Sequence, residues 1–502
     1  MAFRYVVVGG GIAGVSCAEQ LSHLDNQCSI TLISESQLIK SVTNFKKVTR
    51  ALEDFEVTET SASHLTQQCP NVEVVIQPVT AHDPQQKVVG LANGDTVKYD
   101  KLCVCTGARP KLLLGGSHGE VVIGIRDTES VKDFQSRLST ARRILVVGNG
   151  GIATELVYEV TGCEVVWAIR DDSISSTFFD AGAATFFLPH LEQQQSALPS
   201  VVGGGETKMP LKRLKYMLDP IGSQENHHST TPKGKHKGSA LGPDWSTELA
   251  MQGQGLPECY RHVVVEYSCE VADILSPHEL DGYELLKSFP TSKWDHISSA
   301  WPVYIKLTNG IVYGCDIIVS ATGVIPNTAV FQAQLASDGG ISVDHEMRSS
   351  CEHVYAAGDA CSVQWKDPAF HWFQMRLWGQ ARQLGAFAAN CMWSHTANQP
   401  IIRDFCFELF AHVTKFFGYK VVLLGRYNAQ GLDKDYEMLL RCTKGMEYVK
   451  VILHHGKMVG AILIGETDLE ETFENLILNQ MDLSQFGEEL LNPDVDIEDY
   501  FD

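Results

Sequence analysis

Two short glycine patterns constrain this 502-residue chain more than any other feature. The first lies in "FRYVVVGGGIAGVSCAEQL", where Tyr5 to Val8 reads as a buried parallel strand and "AGVSCAEQL" as a helix. Between them Gly9, Gly11 and Gly14 spell G-x-G-x-x-G. The first glycine permits a tight turn, the second lets the main chain approach a pyrophosphate, and the third lets helix and strand pack closely. The helix N-terminus, with Ile12 and Ala13, offers unpaired N–H groups to the anion. The second pattern lies in "RRILVVGNGGIATELVYEV", where the strand Ile144 to Val147 is followed by Gly148, Gly150 and Ala153, then a helix. Alanine is small enough for the third place. Two such modules more than a hundred residues apart imply two dinucleotides, one held tightly and one exchanging with solution.

The strand after each module addresses an adenosine ribose. "SITLIS" ends where either Ser34 or Glu35 makes that contact. In "CEVVWAIRDDS", Ile169 stands where a carboxylate would grip the 2′-hydroxyl of NAD. Arg170 suits the 2′-phosphate of NADP, whereas Asp171 and Asp172 repel a phosphate or bind hydroxyls. The charges leave NAD(H) and NADP(H) both open, with a lean to NAD.

Four further segments follow in order. "YDKLCVCTGARPK" and "GCDIIVSATGVIPN" are apolar strands ending in Thr106-Gly107 and Thr322-Gly323 before a proline-containing turn. "HVYAAGDAC" is a strand ending in Gly358 and Asp359, and "MRLWGQARQLGAFAANCM" reads as a helix. Together these motifs resemble the pyridine nucleotide–disulfide oxidoreductase superfamily, over roughly residues 3–190 and 260–480. The resemblance implies an α/β fold with two Rossmann-like dinucleotide-binding domains. An FAD domain (1–125 and 326–398) is interrupted by an NAD(P)H domain (126–325), and an α+β interface-like domain (399–502) follows. It implies FAD at Gly9, Gly11, Ile12, Ala13, Gly14, Ser34 or Glu35, Thr106, Gly107, Gly358 and Asp359. The nicotinamide dinucleotide falls to Gly148, Gly150, Ala153, Arg170, Thr322 and Gly323, with Glu155 of "GGIATE" near the nicotinamide. Asp359, at a strand end before a helix, is also chemically apt to accept ribityl hydroxyls.

Disulfide reductases of this family carry C-x-x-x-x-C after the first βαβ unit or C-x-x-C in the second domain. This chain has neither, and "LISESQLIKSVTNFKKVTRALEDF" (32–55) has no cysteine at all. Basic residues, Lys40, Lys46 and Lys47, stand there instead. The resemblance implies a lysine near flavin N5, and Lys46 paired with Glu155 is the expected catalytic pair. The competing expectation is a helix, "NFKKVTRALEDFEV", with a solvated lysine face. Cys103 and Cys105 alternate along a strand, about 6–7 Å apart between α-carbons, and read as small buried hydrophobes. Cys361 reads as a buried thiol, with a lone redox thiol as the alternative. His454 and His455 fall in an expected hairpin, "HHGKMVG", with no histidine–glutamate motif beside them. No metal centre is expected, since the cysteines lack C-x-x-C spacing and the insert's histidines are irregular.

Composition bounds the rest. With 61 acidic and 40 basic residues the net charge is -21, which disfavours nucleic acid or an anionic membrane as the main partner. No run approaches the ~20 apolar residues of a membrane helix. The start "MAFRYVVVGG" lacks a signal-peptide pattern, and fourteen scattered cysteines read as reduced thiols, so a cytoplasmic and also nuclear protein is expected. Residues 190–256 are polar and without hydrophobic period, an expected partly disordered loop suited to a protein partner. A second insertion is expected near 276–300, and "NPDVDIEDYFD" reads as an exposed acidic tail. The expected function is an FAD-dependent oxidoreductase that takes hydride from NAD(P)H and passes electrons to an open acceptor, in redox homeostasis or oxidative stress. The alternative is a slow-turnover flavoprotein whose reduced, NAD(P)H-bound form protects or regulates a partner through the insert.

Overall fold

The computed structural model describes residues 3–113, 120–126, 128–192, 237–238, 251–254, 256, 261–280 and 301–492. The chain opens with β1 (Arg4–Val8), α1 (Ile12–Leu24) and β2 (Ser29–Ser34). A long antiparallel hairpin, β3 (Leu38–Lys47) and β4 (Glu53–Ser61), precedes β5 (Val72–Ile76) and β6 (Lys101–Val104). Through β7 (Ala108–Pro110) the chain leaves this domain and builds a second. That domain runs through β8 (Val122–Gly124), α2 (Thr128–Leu138), β9 (Arg143–Val147), α3 (Gly151–Glu159) and β10 (Glu164–Ala168). It continues with α4 (Ala181–Glu192), β11 (His262–Glu266) and β12 (Ile317–Ser320). Then β13 (Val324–Pro326) returns antiparallel to β7, and β14 (Val354–Ala356) and α5 (Trp378–Ala397) complete the first domain.

Two parallel five-stranded sheets result, ordered β14-β6-β1-β2-β5 and β8-β12-β9-β10-β11. In each, the strand that feeds the glycine turn is the central one. Both its faces are covered, which is why it reads as a continuous apolar run. The passage between domains comes earlier than expected. Residues 122–124 are expected in the first domain, yet β8 pairs in parallel with β12, so the crossing lies at the β7–β13 ladder.

A second correction concerns "NFKKVTRALEDFEV", which is a hairpin and not a helix. Its register places Lys46 opposite Asp54 and Lys47 opposite Glu53, so opposite charges face each other across the strands. Phe55 and Val57 alternate inward to meet Ile12, with Trp378 packed alongside. The turn is held by Glu474, whose buried carboxylate accepts from the Ala51 N–H and the Thr49 hydroxyl. A tertiary anchor and cross-strand pairing thus override a helix-compatible local composition.

The expected β-rich C-terminal domain is present. Its antiparallel sheet comprises β15 (Ala411–Phe416), β16 (Tyr419–Gly425), β17 (Glu437–Thr443), β18 (Glu447–His454) and β19 (Lys457–Ile464), in the order β15-β16-β19-β18-β17. The helix α6 (Glu470–Asn479) closes it. Phe178, Phe179 and Phe187 of the second domain pack with Phe416 and Phe417 in one buried cluster, which fixes this domain against the second.

Of the expected insert, Lys237–Gly238 adds a short antiparallel strand to β4. Most of residues 190–256, residues 281–300 and the acidic tail from 493 lie outside the described residues. Among the described residues no helix is long and apolar enough to cross a membrane.

The second sheet carries one buried ion pair, Arg143 with Glu164, their side chains 2% and 0% exposed. Removing one partner strands the other charge, so Arg143→Met should cost about 3–5 kcal/mol. Urea unfolding checks this, and the double variant Arg143→Met/Glu164→Leu should recover most of the loss.

Candidate active site

Two cavities open at the C-terminal ends of the central strands. The first, of about 560 Å³, is lined by Val8 to Ala13, by Ser34 and Glu35, by Cys105 to Ala108 and by Asp359. Gly9 has φ +124°, and a Cβ there would lie 2.1 Å from the Cys105 carbonyl oxygen, so only glycine lets β6 pass beneath the turn. A Cβ on Gly14 would lie 1.9 Å from the Gly9 oxygen, the close helix–strand contact expected of the third glycine. Gly11, by contrast, has open space where its Cβ would be, and it faces the cavity.

Ser34 is buried and donates to the Ser36 carbonyl at 2.8 Å, whereas Glu35 is exposed; both line the cavity. The Thr106 hydroxyl donates to the Asn327 carbonyl at 2.6 Å, and the Asn327 amide donates back to the Thr106 carbonyl at 3.1 Å. Thr106 therefore clamps the domain crossing and sets Gly107 along the wall. Gly358 begins a 3₁₀ turn pressed against Ala13, and this seats Asp359 in the wall. The buried Asp359 carboxylate pairs with Arg126, whose Nε also donates to the Ala108 carbonyl at 3.1 Å. An exposed helix N-terminus, an open glycine edge and this carboxylate–guanidinium pair match the anionic and polyol parts of FAD.

The second cavity, of about 870 Å³, repeats the plan. It is lined by Val147 to Ile152, Glu155, Arg170, Asp171 and Ser320 to Val324. Gly148 has φ +126°, and a Cβ there would lie 2.1 Å from the Ala321 carbonyl oxygen; Gly150 is open and Ala153 is buried under the helix. Asp171 accepts from Asn149 and Ser176, each at 2.7 Å, and these hydrogen bonds hold its carboxyl below the usual range. Arg170 is exposed beside Glu270, while Ile169 is fully buried and lies outside the lining of either cavity. Thr322 donates to the Lys111 carbonyl at 2.9 Å, a turn cap, and Gly323 follows it at the rim.

Arg126 and Trp378 line both cavities and mark the seam where the two meet. Lys46 is not there. It is exposed near the far end of β3, outside the lining of either cavity, so the expected Lys46–Glu155 pairing does not form at the seam. Lys46 lies six residues, roughly 20 Å of extended strand, beyond Lys40. Lys40 lines the first cavity, its Nζ 5.0 Å over the Trp378 ring, and Lys111 lines the second. Arg126, Trp378, Asn327 and Asn149 were not singled out from sequence. Each is a lone polar or aromatic residue in a connection or at a helix start, and only the short strand before Arg126 hinted at its place.

Among the described residues every cysteine is a free thiol. Cys103 and Cys105 Sγ lie 3.5 Å apart, unbonded and buried. Cys17 joins them, and Cys105 is lowest in pKa because both neighbours donate to it, while Cys17 and Cys103 are pushed up. Cys361 is buried, donates to the Gly358 carbonyl and lies outside both linings, with burial pushing its thiol up.

The family model described as pyridine nucleotide-disulphide oxidoreductase matches residues 3–195 and 295–385, and that of the rubredoxin NAD+ reductase C-terminal domain matches 411–481. A Rattus norvegicus protein called pyridine nucleotide-disulfide oxidoreductase domain-containing protein 1 is 51% identical over 99% of this chain and 98% of its own. The Dictyostelium discoideum protein of that name is 39% identical, over 99% of each. Among solved structures, the covalent putidaredoxin reductase–putidaredoxin complex aligns with TM-score 0.63 at 14% identity over 98% of each chain. The NADH-bound water-forming NADH oxidase of Lactobacillus brevis aligns with TM-score 0.64 at 16% identity, over 99% of this chain and 95% of that one.

Because Gly11 projects into open space, Gly11→Trp should fold normally and fill the pyrophosphate position. Purified variant protein should lack flavin absorbance near its wild-type level while its apo-protein melting temperature stays unchanged.

Proposed function

The chain belongs to the pyridine nucleotide-disulphide oxidoreductase family, and from that premise we propose that its electrons leave the flavin for an acceptor other than a disulfide of its own chain. Members of this family are NAD(P)H-dependent FAD oxidoreductases, and this chain is one of them. The observation that carries the proposal is the β3–β4 hairpin, which contains no cysteine and presents Lys40 to the first cavity. Cys105 does reach that cavity, but its neighbouring thiols lie beneath the glycine turn, packed into the core cluster and away from solvent.

When bound, FAD accepts hydride from nicotinamide and supplies the electrons that the acceptor takes up. The chain's own residues do the holding. In the proposed arrangement the N-terminus of α1 and Gly11 receive the FAD pyrophosphate, and Asp359 with Arg126 receives the polyol. Gly150 and the N-terminus of α3 receive the second pyrophosphate, with Asp171 beside the adenosine ribose and Arg170 as the contact available to a 2′-phosphate. Trp378 and Glu155 border the seam, where Lys40 places positive charge beside the electron-rich ring. An outside electron-carrier protein is the acceptor these likenesses support. The matches to the rubredoxin reductase C-terminal domain and to putidaredoxin reductase captured with putidaredoxin point that way.

A second reading keeps the reduced, NAD(P)H-bound protein long-lived and lets the 190–256 segment engage a partner. It is supported by the pairing of Lys237–Gly238 with β4, on the same hairpin that bears Lys40.

Anaerobic stopped-flow measurements decide between them. NADH or NADPH should bleach the flavin equally fast in wild type and in Cys103→Ser/Cys105→Ser. A ferredoxin-class carrier should reoxidise it at least about tenfold faster than dissolved oxygen does. Carrier-driven reoxidation lost in the serine variant while bleaching persists would restore a thiol relay, and reduced flavin that persists with every carrier in wild type would select the second reading. Lys40→Met should slow flavin reduction by about tenfold, the scale of ~1.4 kcal/mol, whereas Lys46→Met should leave it unchanged.

A further inference from the structure

The turn between β18 and β19 gathers three metal-ligand side chains that neither cavity uses. His454 ends β18, His455 and Gly456 form the turn, and Lys457 begins β19. Both turn residues have positive φ, +52° and +74°. Two-residue turns of this kind favour Asn-Gly or Gly-Gly, and histidine is among the residues that tolerate the left-handed first place. In that conformation the His455 ring lies 4.0 Å from the His454 ring between centroids. Asp435, in the loop before β17, reaches both. Its Oδ2 is 3.4 Å from His454 Nε2 and 3.5 Å from His455 Nε2. The ligand atoms of all three residues lie within 4.8 Å of one another.

Those separations are too long for good N–H···O hydrogen bonds, which cluster near 2.9 Å. They match a different geometry. A tetrahedral zinc ion, about 2.0–2.1 Å from nitrogen and about 2.0–2.2 Å from oxygen, sets its ligand atoms about 3.3–3.5 Å apart. Two imidazole nitrogens thus stand at tetrahedral-site spacing from one carboxylate oxygen.

The supports are in place. Phe370 lies nearly parallel to the His454 ring, at 6.4 Å and 21°. The Asp435 N–H donates to the Leu432 carbonyl at 3.0 Å, fixing the loop that presents the carboxylate. His455 and Asp435 are exposed, so an ion can enter without unfolding anything.

We propose that Asp435, His454 and His455 bind one divalent cation of the zinc class, a donor set suited to zinc, copper or nickel and poorly suited to magnesium or calcium. The ion ties the loop ending at Asp435 to the β18–β19 turn.

The test uses the metal-stripped, flavin-loaded full chain titrated with zinc chloride against a chromophoric chelator, with melting temperature as a second readout. Wild type should take up one equivalent more than His455→Asn or Asp435→Asn, and zinc should raise the melting temperature of wild type only. Asparagine accepts the left-handed conformation at 455, so that variant keeps the turn. Zinc held by other histidines would be shared by all three proteins and cancel in the difference. Equal stoichiometry together with equal thermal shift in wild type and variants would overturn the proposal, as would calcium or magnesium competing at the same concentration as zinc.

Discussion

Each nucleotide-binding domain depends on a contact that no side chain permits. At Gly9 and at Gly148 the carbonyl oxygen of a neighbouring strand end lies 2.1 Å from where a Cβ would stand, with φ at +124° and +126°. This lets the central strand turn sharply while its neighbour runs close beneath, so both cavities open at the same edge of their sheets. Helix N-terminus, open second glycine and T-G strand end then fall into place around that crossing. The two domains share a five-stranded parallel plan, and this contact is repeated in both at the same 2.1 Å.

Those features were legible because they are backbone requirements, and backbone requirements leave glycines at fixed spacing. The strands around them were legible because burial on both faces demands continuous apolar runs, as in Tyr5–Val8 and Ile144–Val147. The His455-Gly456 turn was legible for the same local reason. The β3–β4 hairpin was not. Its lysines and glutamates suit a helix, and what makes it a hairpin is Glu474, more than four hundred residues away in sequence. The resemblance put the expected lysine at Lys46, with a solvated helix as the competing reading, whereas the strand brings Lys40 to the cavity. Arg126 was hidden for another reason: a single arginine after a short strand has no period, and only the return of Asp359 from beyond the second domain gives it meaning.

The absence of a cysteine pair in the hairpin changes the electrostatics of the site as well as its chemistry. A lysine stacked on Trp378 supplies a permanent positive charge at the seam. Burial and mutual hydrogen bonding keep the Cys17–Cys103–Cys105 thiols within the core cluster, where they pack against strand and helix. The wall of the first cavity carries Lys40, Arg109 and Arg126 together with Glu35, Glu59 and Asp359, so both signs of charge face the space a ligand would fill.

The chain enters and leaves the second domain through adjacent residues of one small ladder, with Pro110 beside Val324 and Ala108 beside Pro326. Entry and exit that touch impose almost no closure entropy on whatever lies between them. Such a gate lets a whole module be spliced into a host, or exchanged for another, while the host's strand order stays untouched. It also makes three rungs of paired backbone the narrow bridge about which the two halves would swing.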